Sequence, residues 1–222
     1  MSGRASALAL AFAAASVALA QPHGHVHRGA ADHRFDDAER WARVFDDPAR
    51  DAWQQPEAVI RALGLAPDAV VADIGAGTGY FASRLARAVP AGRVVAVDTS
   101  PDMVRYLTSR AQREGLPNLV ARLGAPDDPG LDAPVDLALL VDVYHHIAAR
   151  ERYFERLRSR LKPGGRLAVI DFRIDAKLGP PPGARIAPER VKAELARAGF
   201  ELEAEHGFLP EQYFLVFRPA RR

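Results

Sequence analysis

Two short stretches of this 222-residue chain hold side chains that could do chemistry as well as pack. The first, Val70-Val71-Ala72-Asp73-Ile74-Gly75-Ala76-Gly77-Thr78-Gly79-Tyr80-Phe81, is an apolar run broken by an acid and three closely spaced glycines before a helical pattern resumes. Gly75 and Gly77 lack the Cβ atoms that would keep a ligand off the backbone. A helix beginning near Thr78 would offer free N–H groups and a positive dipole end to an anion. The second stretch is Val143-Tyr144-His145-His146-Ile147. An imidazole titrating near neutrality suits a general base, so His145 or His146 is a candidate for taking a proton. For either histidine alone, capping a helix near Ile147 is the structural alternative. The pair lacks a third ligand nearby, so no metal site is assigned to it.

Spacing narrows what the glycine loop would hold. The glycines fall as G-x-G-x-G, and Tyr80 stands where a dinucleotide fingerprint would need its last glycine. Asp73, directly before the loop, could accept hydrogen bonds from an ammonium group. Asp98 ends the apolar run Val94-Val95-Ala96-Val97, where a carboxylate can hold two ribose hydroxyls.

These groups must be positioned by strands and helices that alternate with short links, the pattern of a mostly parallel sheet covered on both faces. Strands are expected near 69–73, 93–98, 119–123, 135–141 and 166–172. Phe81, Leu85 and Ala88 share one face of the first intervening helix. Met103, Leu107 and Ala111 share one face of the second, which starts at Ser100-Pro101. A helix over 147–161 buries Phe154, Leu157 and Leu161, and Lys162-Pro163-Gly164-Gly165 turns the chain into the next strand. A Pro-rich connection and a helix over 188–198 lead to two closing apolar stretches, 200–205 and 212–217, which fit a β-hairpin. Ahead of the first strand, helical patterns from Phe35 to Phe45 and from Pro56 to Gly64 form a helical extension. Its Trp41, Phe45 and Trp53 could fold over the glycine loop or simply pack on the sheet.

With 48% hydrophobic and 26% charged residues, the chain fits one soluble globular domain plus an extension. A net charge of only +2, with basic residues spread along helices, gives little support for a nucleic-acid partner. The absence of cysteine rules out disulfides, thiolate metal sites and a cysteine nucleophile within these residues. Residues 1–20 read as a signal peptide, with one Arg, a short apolar stretch and Ala18-Leu19-Ala20 as the cleavage pattern, so an exported, periplasmic protein is expected. The apolar part is too short for a comfortable span, so no stable membrane segment is expected after cleavage. Residues 21–34, carrying His23, His25, His27 and His33, read as a flexible linker, either solvated or transiently metal-binding. The domain proper is then 35–222, with 35–64 as its cap.

The glycine loop with Asp73, the strand ending in Asp98, the run Val135-Asp136-Leu137-Ala138-Leu139-Leu140-Val141-Asp142 and Leu161-Lys162-Pro163-Gly164-Gly165 together resemble the class I S-adenosylmethionine-dependent methyltransferases. The resemblance covers about residues 56–218. Tyr144-His145-His146, the upstream Asp46-Asp47-Pro48 and Trp53-Gln54, and the Pro-rich loop after the fifth strand add a likeness to a bacterial subset bearing export signals. It implies a Rossmann-like, doubly wound, seven-stranded α/β sheet whose closing hairpin supplies one antiparallel strand. It implies S-adenosyl-L-methionine as cofactor and a small-molecule acceptor. Asp73, Gly75 and Gly77 would hold the methionine part, Thr78 and Gly79 its carboxylate, and Asp98 the ribose. Asp127, or else Asp128, would meet the adenine amino group, unless both simply form a turn before Pro129. Asp142 would lie beside the sulfonium or cap the following loop. Tyr144 would orient the acceptor while His145 or His146 takes its proton. A non-catalytic envelope protein that binds a ligand or buffers metal on the same fold is the competing reading. The acceptor atom and the oligomeric state are not encoded in any of these motifs.

Overall fold

A computed structural model describes residues 37–221; the expected signal peptide, the histidine-rich stretch and Phe35 lie outside the described residues. The described chain opens with three short helices, α1 (Ala38–Phe45), α2 (Asp51–Gln54) and α3 (Pro56–Leu63). Asp47 caps a single 3₁₀ turn between α1 and α2 by accepting the Ala49 N–H at 2.9 Å, and Pro56 takes the first position of α3. From there strands and helices alternate: β1 (Val70–Ile74), α4 (Tyr80–Ala88), β2 (Arg93–Asp98), α5 (Pro101–Arg113), β3 (Leu119–Leu123), β4 (Val135–Val141), α6 (Arg150–Arg158), β5 (Leu161–Phe172) and α7 (Pro188–Arg197). The chain closes with β6 (Phe200–His206) and β7 (Gln212–Pro219).

One seven-stranded sheet results, in the order β3-β2-β1-β4-β5-β7-β6, with β7 antiparallel to both its neighbours. Its central strands are apolar on both faces because helices cover both. In β4, Leu137, Leu139 and Val141 join the core under α3 and α4, where Val59, Leu63, Phe81 and Leu85 lie. Ala138 and Leu140 point the other way, toward Phe154 and Leu157 of α6 and Val191 and Leu195 of α7. This two-residue alternation fixes which end residues of each strand emerge over which face.

Three boundaries differ from the sequence expectation. Lys162-Pro163-Gly164-Gly165 is absorbed into β5 as an irregularity: Val135 pairs with Leu161 and Leu137 with Arg166, so the extra residues bulge out at Gly164, where φ is +77°. Helix α6 starts only at Arg150, because Tyr144–His146 forms a separate 3₁₀ turn. Helix α4 starts at Tyr80, two residues later than expected, since Gly79 turns left-handed (φ +93°) and gives its N–H to Ala76 O at 2.9 Å.

Candidate cofactor and acceptor site

The loop from β1 to α4 owes its path to glycine. Gly75, Gly77 and Gly79 all have positive φ, at +71°, +55° and +93°. A Cβ on Gly75 would lie 2.3 Å from Val143 Cγ2, and one on Gly77 would lie 3.4 Å from Phe45 Cδ2. The two chemistry-bearing stretches of the sequence therefore meet here, backbone against side chain. Thr78 is buried, and its Oγ1 has no hydrogen-bond partner in the described structure. Asp98 reaches under the loop: Oδ2 accepts the Gly77 N–H at 2.8 Å and Oδ1 the Ser100 N–H at 2.9 Å. Burial raises the Asp98 pKa against these backbone donors. Asp73 is buried beneath the same loop, and its pKa is pushed up to about 7, first by burial and then by the charge of Asp98, with Arg50 opposing. Two under-compensated carboxylates, an orphaned hydroxyl and a backbone stripped of Cβ atoms fit a small zwitterionic, ribose-bearing cofactor of the S-adenosylmethionine type.

Beyond Val143 the site is built from side chains on four distant elements. Asp142 directly follows β4 in a left-handed conformation (φ +59°) that is costly for a non-glycine residue. Gln212, at the start of β7, donates Nε2 to Asp142 Oδ1 at 2.5 Å. Gln54, from α2, donates to Asp142 Oδ2 at 3.4 Å and to Gln212 Oε1 at 3.2 Å. Arg50 donates Nε to Gln54 Oε1, brings Nη2 to 3.6 Å from Asp142 Oδ2, and lies 4.3 Å above the Tyr80 ring. Both glutamines are fully buried, so each amide must be satisfied inside the network. Burial, and then the charge of Asp171, raise the Asp142 pKa to about 6, while Arg50 and His145 oppose them.

His145 is the imidazole that this network surrounds. Its Nδ1 is 2.9 Å from both Asp171 carboxylate oxygens, and its backbone N–H donates to Asp171 Oδ2 at 3.2 Å. Asp171, buried on β5, also accepts the Phe172 N–H at 2.8 Å. Burial alone would lower the His145 pKa, but the hydrogen bond and charge of Asp171, with the charge of Asp142, raise it. His146 is exposed, its ring 4.1 Å from that of His145. Sequence reasoning missed Asp171, Gln54, Gln212 and Arg50. Asp171 left a signal as an acid at the end of an apolar strand in the manner of Asp98 on β2, and Gln54 one as part of the Trp53-Gln54 pair.

Two expected site residues are not brought into this group. Tyr144 is fully buried facing α7, stacked 5.2 Å from Phe154, with its hydroxyl donating to Glu194 Oε2 at 2.7 Å. That hydroxyl is engaged on the far side of the 3₁₀ turn, because successive residues of a tight turn point in different directions. Asp127 has a side chain 68% exposed; Arg156 donates to its carbonyl oxygen at 2.6 Å and to its Oδ2 at 3.2 Å. Asp128 accepts the Gly130 N–H at 2.8 Å, the turn alternative for this pair.

The cap closes over both halves. Phe45, stacked 5.2 Å from Trp41, faces Gly77, and Arg110 ties the cap to the loop by pairing with Asp46 at 2.8 Å and donating to Thr78 O at 3.0 Å. Trp53, which precedes Gln54, lies 5.6 Å from the ring of Phe172, which follows Asp171.

The strand order, the single antiparallel strand and the glycine loop at the carboxyl end of β1 define a Rossmann-like α/β fold of the class I S-adenosylmethionine-dependent methyltransferase type. Residues 72–167 match the methyltransferase domain family. A SAM-dependent methyltransferase from Aquifex aeolicus superposes with a TM-score of 0.75 at 25% identity, covering 82% of this chain and 97% of that one. An arsenite methyltransferase of Halobacterium salinarum is 30% identical over 62% of this chain and 38% of its own length. A malonyl-[acyl-carrier protein] O-methyltransferase of Methylococcus capsulatus is 34% identical over 51% of this chain and 40% of its own. The chain thus spans well under half the length of these two curated relatives.

Proposed function

We propose that this chain transfers the methyl group of S-adenosylmethionine to a small-molecule acceptor, with His145 as the general base. The observation that carries the reading is the His145–Asp171 pair, 2.9 Å apart, next to Val143 and hence to the glycine loop. Asp73 would accept the cofactor's ammonium, Thr78 and Gly79 would meet its carboxylate, and Asp98 would accept the ribose hydroxyls. The bound cofactor supplies a methyl carbon already activated by its sulfonium. With Nδ1–H donated to Asp171, His145 presents Nε2 as the free lone pair, which takes the acceptor's proton. Asp142, fixed by Gln54, Gln212 and Arg50, places a carboxylate at the same edge. His146 is the alternative base, less held because it is exposed.

Incubation with methyl-tritiated S-adenosylmethionine and a panel of hydroxyl, amine and thiol compounds tests this reading. Label should pass to at least one compound and fail to do so in His145→Ala. Absence of S-adenosylhomocysteine binding by calorimetry would sink it in favour of a ligand-binding or metal-buffering protein. The methyltransferase match favours the enzyme over that reading. A soft, thiophilic acceptor would find no thiolate here, since the sequence contains no cysteine. Export is part of the proposal through the cleavage pattern at Ala18-Leu19-Ala20; mature protein from a periplasmic fraction should begin at Gln21.

A further inference from the structure

We infer, resting on the methyltransferase reading, that the acceptor is an uncharged, protic group carried on an apolar body, and that the loops after β5 and β6 form its binding rim. The inner site favours no anion. Asp142 and Asp171 both flank His145, and Arg50 is already committed to Asp142 and Gln54. The arginines of the rim are committed as well, to backbone. Arg185 donates to five carbonyls of its own loop, those of Arg173 (3.3 Å), Ile174 (2.9 Å), Ala176 (2.6 Å), Leu178 (3.1 Å) and Pro180 (2.7 Å). Arg173 reaches across to the β6–β7 loop, donating to Leu209 O at 3.0 Å, to Pro210 O and to Gln212 O at 3.4 Å. Lys177 is exposed on this rim, where water screens its charge, and its backbone N–H ties the two loops again through Glu211 Oε2 at 2.6 Å.

This bracing holds the irregular segment 173–187 in one shape, yet it leaves large apolar side chains facing solvent: Ile174 at 47%, Leu178 at 43% and Phe208 at 37% exposure. The rim adjoins the inner site at Gly179, which follows Leu178. Gly179 lies so close over Phe172 that a Cβ there would sit 2.5 Å from the ring, Phe172 meets Trp53, and Phe172 follows Asp171 in the chain. An apolar body seated on this rim would reach inward past the Trp53–Phe172 pair to His145, and the cation beside that pair, Arg50 at 5.8 Å from the Trp53 ring centroid, is already engaged by Asp142 and Gln54. A carboxylate or phosphate there would be desolvated without a counter-ion, which costs far more than an apolar contact returns.

Saturation-transfer NMR with 2-naphthol and 2-naphthoate, in the presence of S-adenosylhomocysteine, separates the possibilities. Naphthol should bind about tenfold or more tightly than naphthoate, a difference of about 1.4 kcal/mol or more. The double variant Ile174→Ser/Leu178→Ser should lose about tenfold in naphthol affinity, again about 1.4 kcal/mol, and keep its affinity for S-adenosylhomocysteine. Equal or tighter naphthoate binding, or unchanged naphthol binding in the double variant, would overturn the proposal. So would co-sedimentation of the wild type with phosphatidylcholine vesicles that the double variant abolishes, which would make the rim a membrane contact. Failure of the wild type to bind S-adenosylhomocysteine would instead strike the methyltransferase reading, and would register separately from either naphthol result.

Discussion

The two halves of the proposed site are built by different means. The cofactor half is a contiguous loop from Asp73 to Tyr80 plus one acid, Asp98, and its shape comes from backbone conformations that glycine makes accessible. The acceptor half gathers Arg50 and Gln54 from the cap, Asp142 and His145 from the β4 edge, Asp171 from β5 and Gln212 from β7, holding them by side-chain hydrogen bonds across as many as 158 residues. A local loop carries its binding function in a few adjacent residue types, whereas a network of buried amides and carboxylates works only when the whole fold has closed around it. Damage to the first should therefore appear in cofactor affinity, and damage to the second in turnover and its pH dependence.

The sharpest way to break this contrast is a pair of substitutions read by two assays. His145→Ala should reduce methyl transfer by about 10²- to 10⁴-fold, the usual worth of a positioned general base, with S-adenosylhomocysteine affinity nearly unchanged. Asp98→Ala should do the reverse, costing about 100-fold in that affinity if two charge-assisted hydrogen bonds to the ribose are lost at about 1.5 kcal/mol each. Calorimetry gives the affinities and the tritium assay the rates. Comparable affinity losses in both variants would erase the division into halves.

A smaller effect tests the acceptor half alone. If His145 is the base, as proposed, methyl transfer needs it neutral, and Asp171 and Asp142 raise its pKa, so the rate should climb with pH through a midpoint above the ordinary histidine value. Asp171→Asn removes the larger raising influence while keeping an acceptor for Nδ1–H, so the midpoint should move down as the plateau falls about tenfold or more. A ¹⁵N titration of the His145 ring reports the same shift without any acceptor. A midpoint that stays in place while activity falls would make Asp171 a packing residue only.

The contrast also explains what could be read from sequence. The order of strands and helices was legible because buried parallel strands are short apolar runs and the covering helices repeat every three to four residues, as β4 and α5 both show. Asp73, Asp98 and the glycines were legible because backbone geometry restricts residue type locally. Gln54 and Gln212 were not: a glutamine in a short helix and another at the start of a strand look like surface residues until the cap folds onto the sheet and buries both. Adjacency to the histidines suggests an acceptor role for Tyr144, but along a 3₁₀ turn neighbours lie on different faces, and its hydroxyl goes to Glu194. The late start of α4 follows from Gly79, whose left-handed backbone delays the first helical residue.

The smallest expected effect lies beneath the glycine loop and is read in protons. Asp73 has a folded pKa of about 7, above its ordinary 3.8, so the native chain holds a proton that the unfolded chain releases. Its contribution to stability is therefore present at acid pH and is lost as pH rises through about 7. Asp73→Asn keeps the shape without the charge, so its melting temperature should depend less on pH, and near pH 8 it should melt a few degrees above wild type, roughly the effect of 1 kcal/mol. Cofactor binding should push the other way in the wild type. An ammonium beside Asp73 favours the carboxylate, so S-adenosylhomocysteine should release a fraction of a proton near pH 6, seen as a dependence of calorimetric heats on buffer ionisation enthalpy. Asp142, raised to about 6, remains in the variant and serves as the internal comparison, since it belongs to the acceptor half. If Asp73→Asn releases as much proton as wild type, the titrating group lies in the acceptor half, and the ammonium must be held elsewhere.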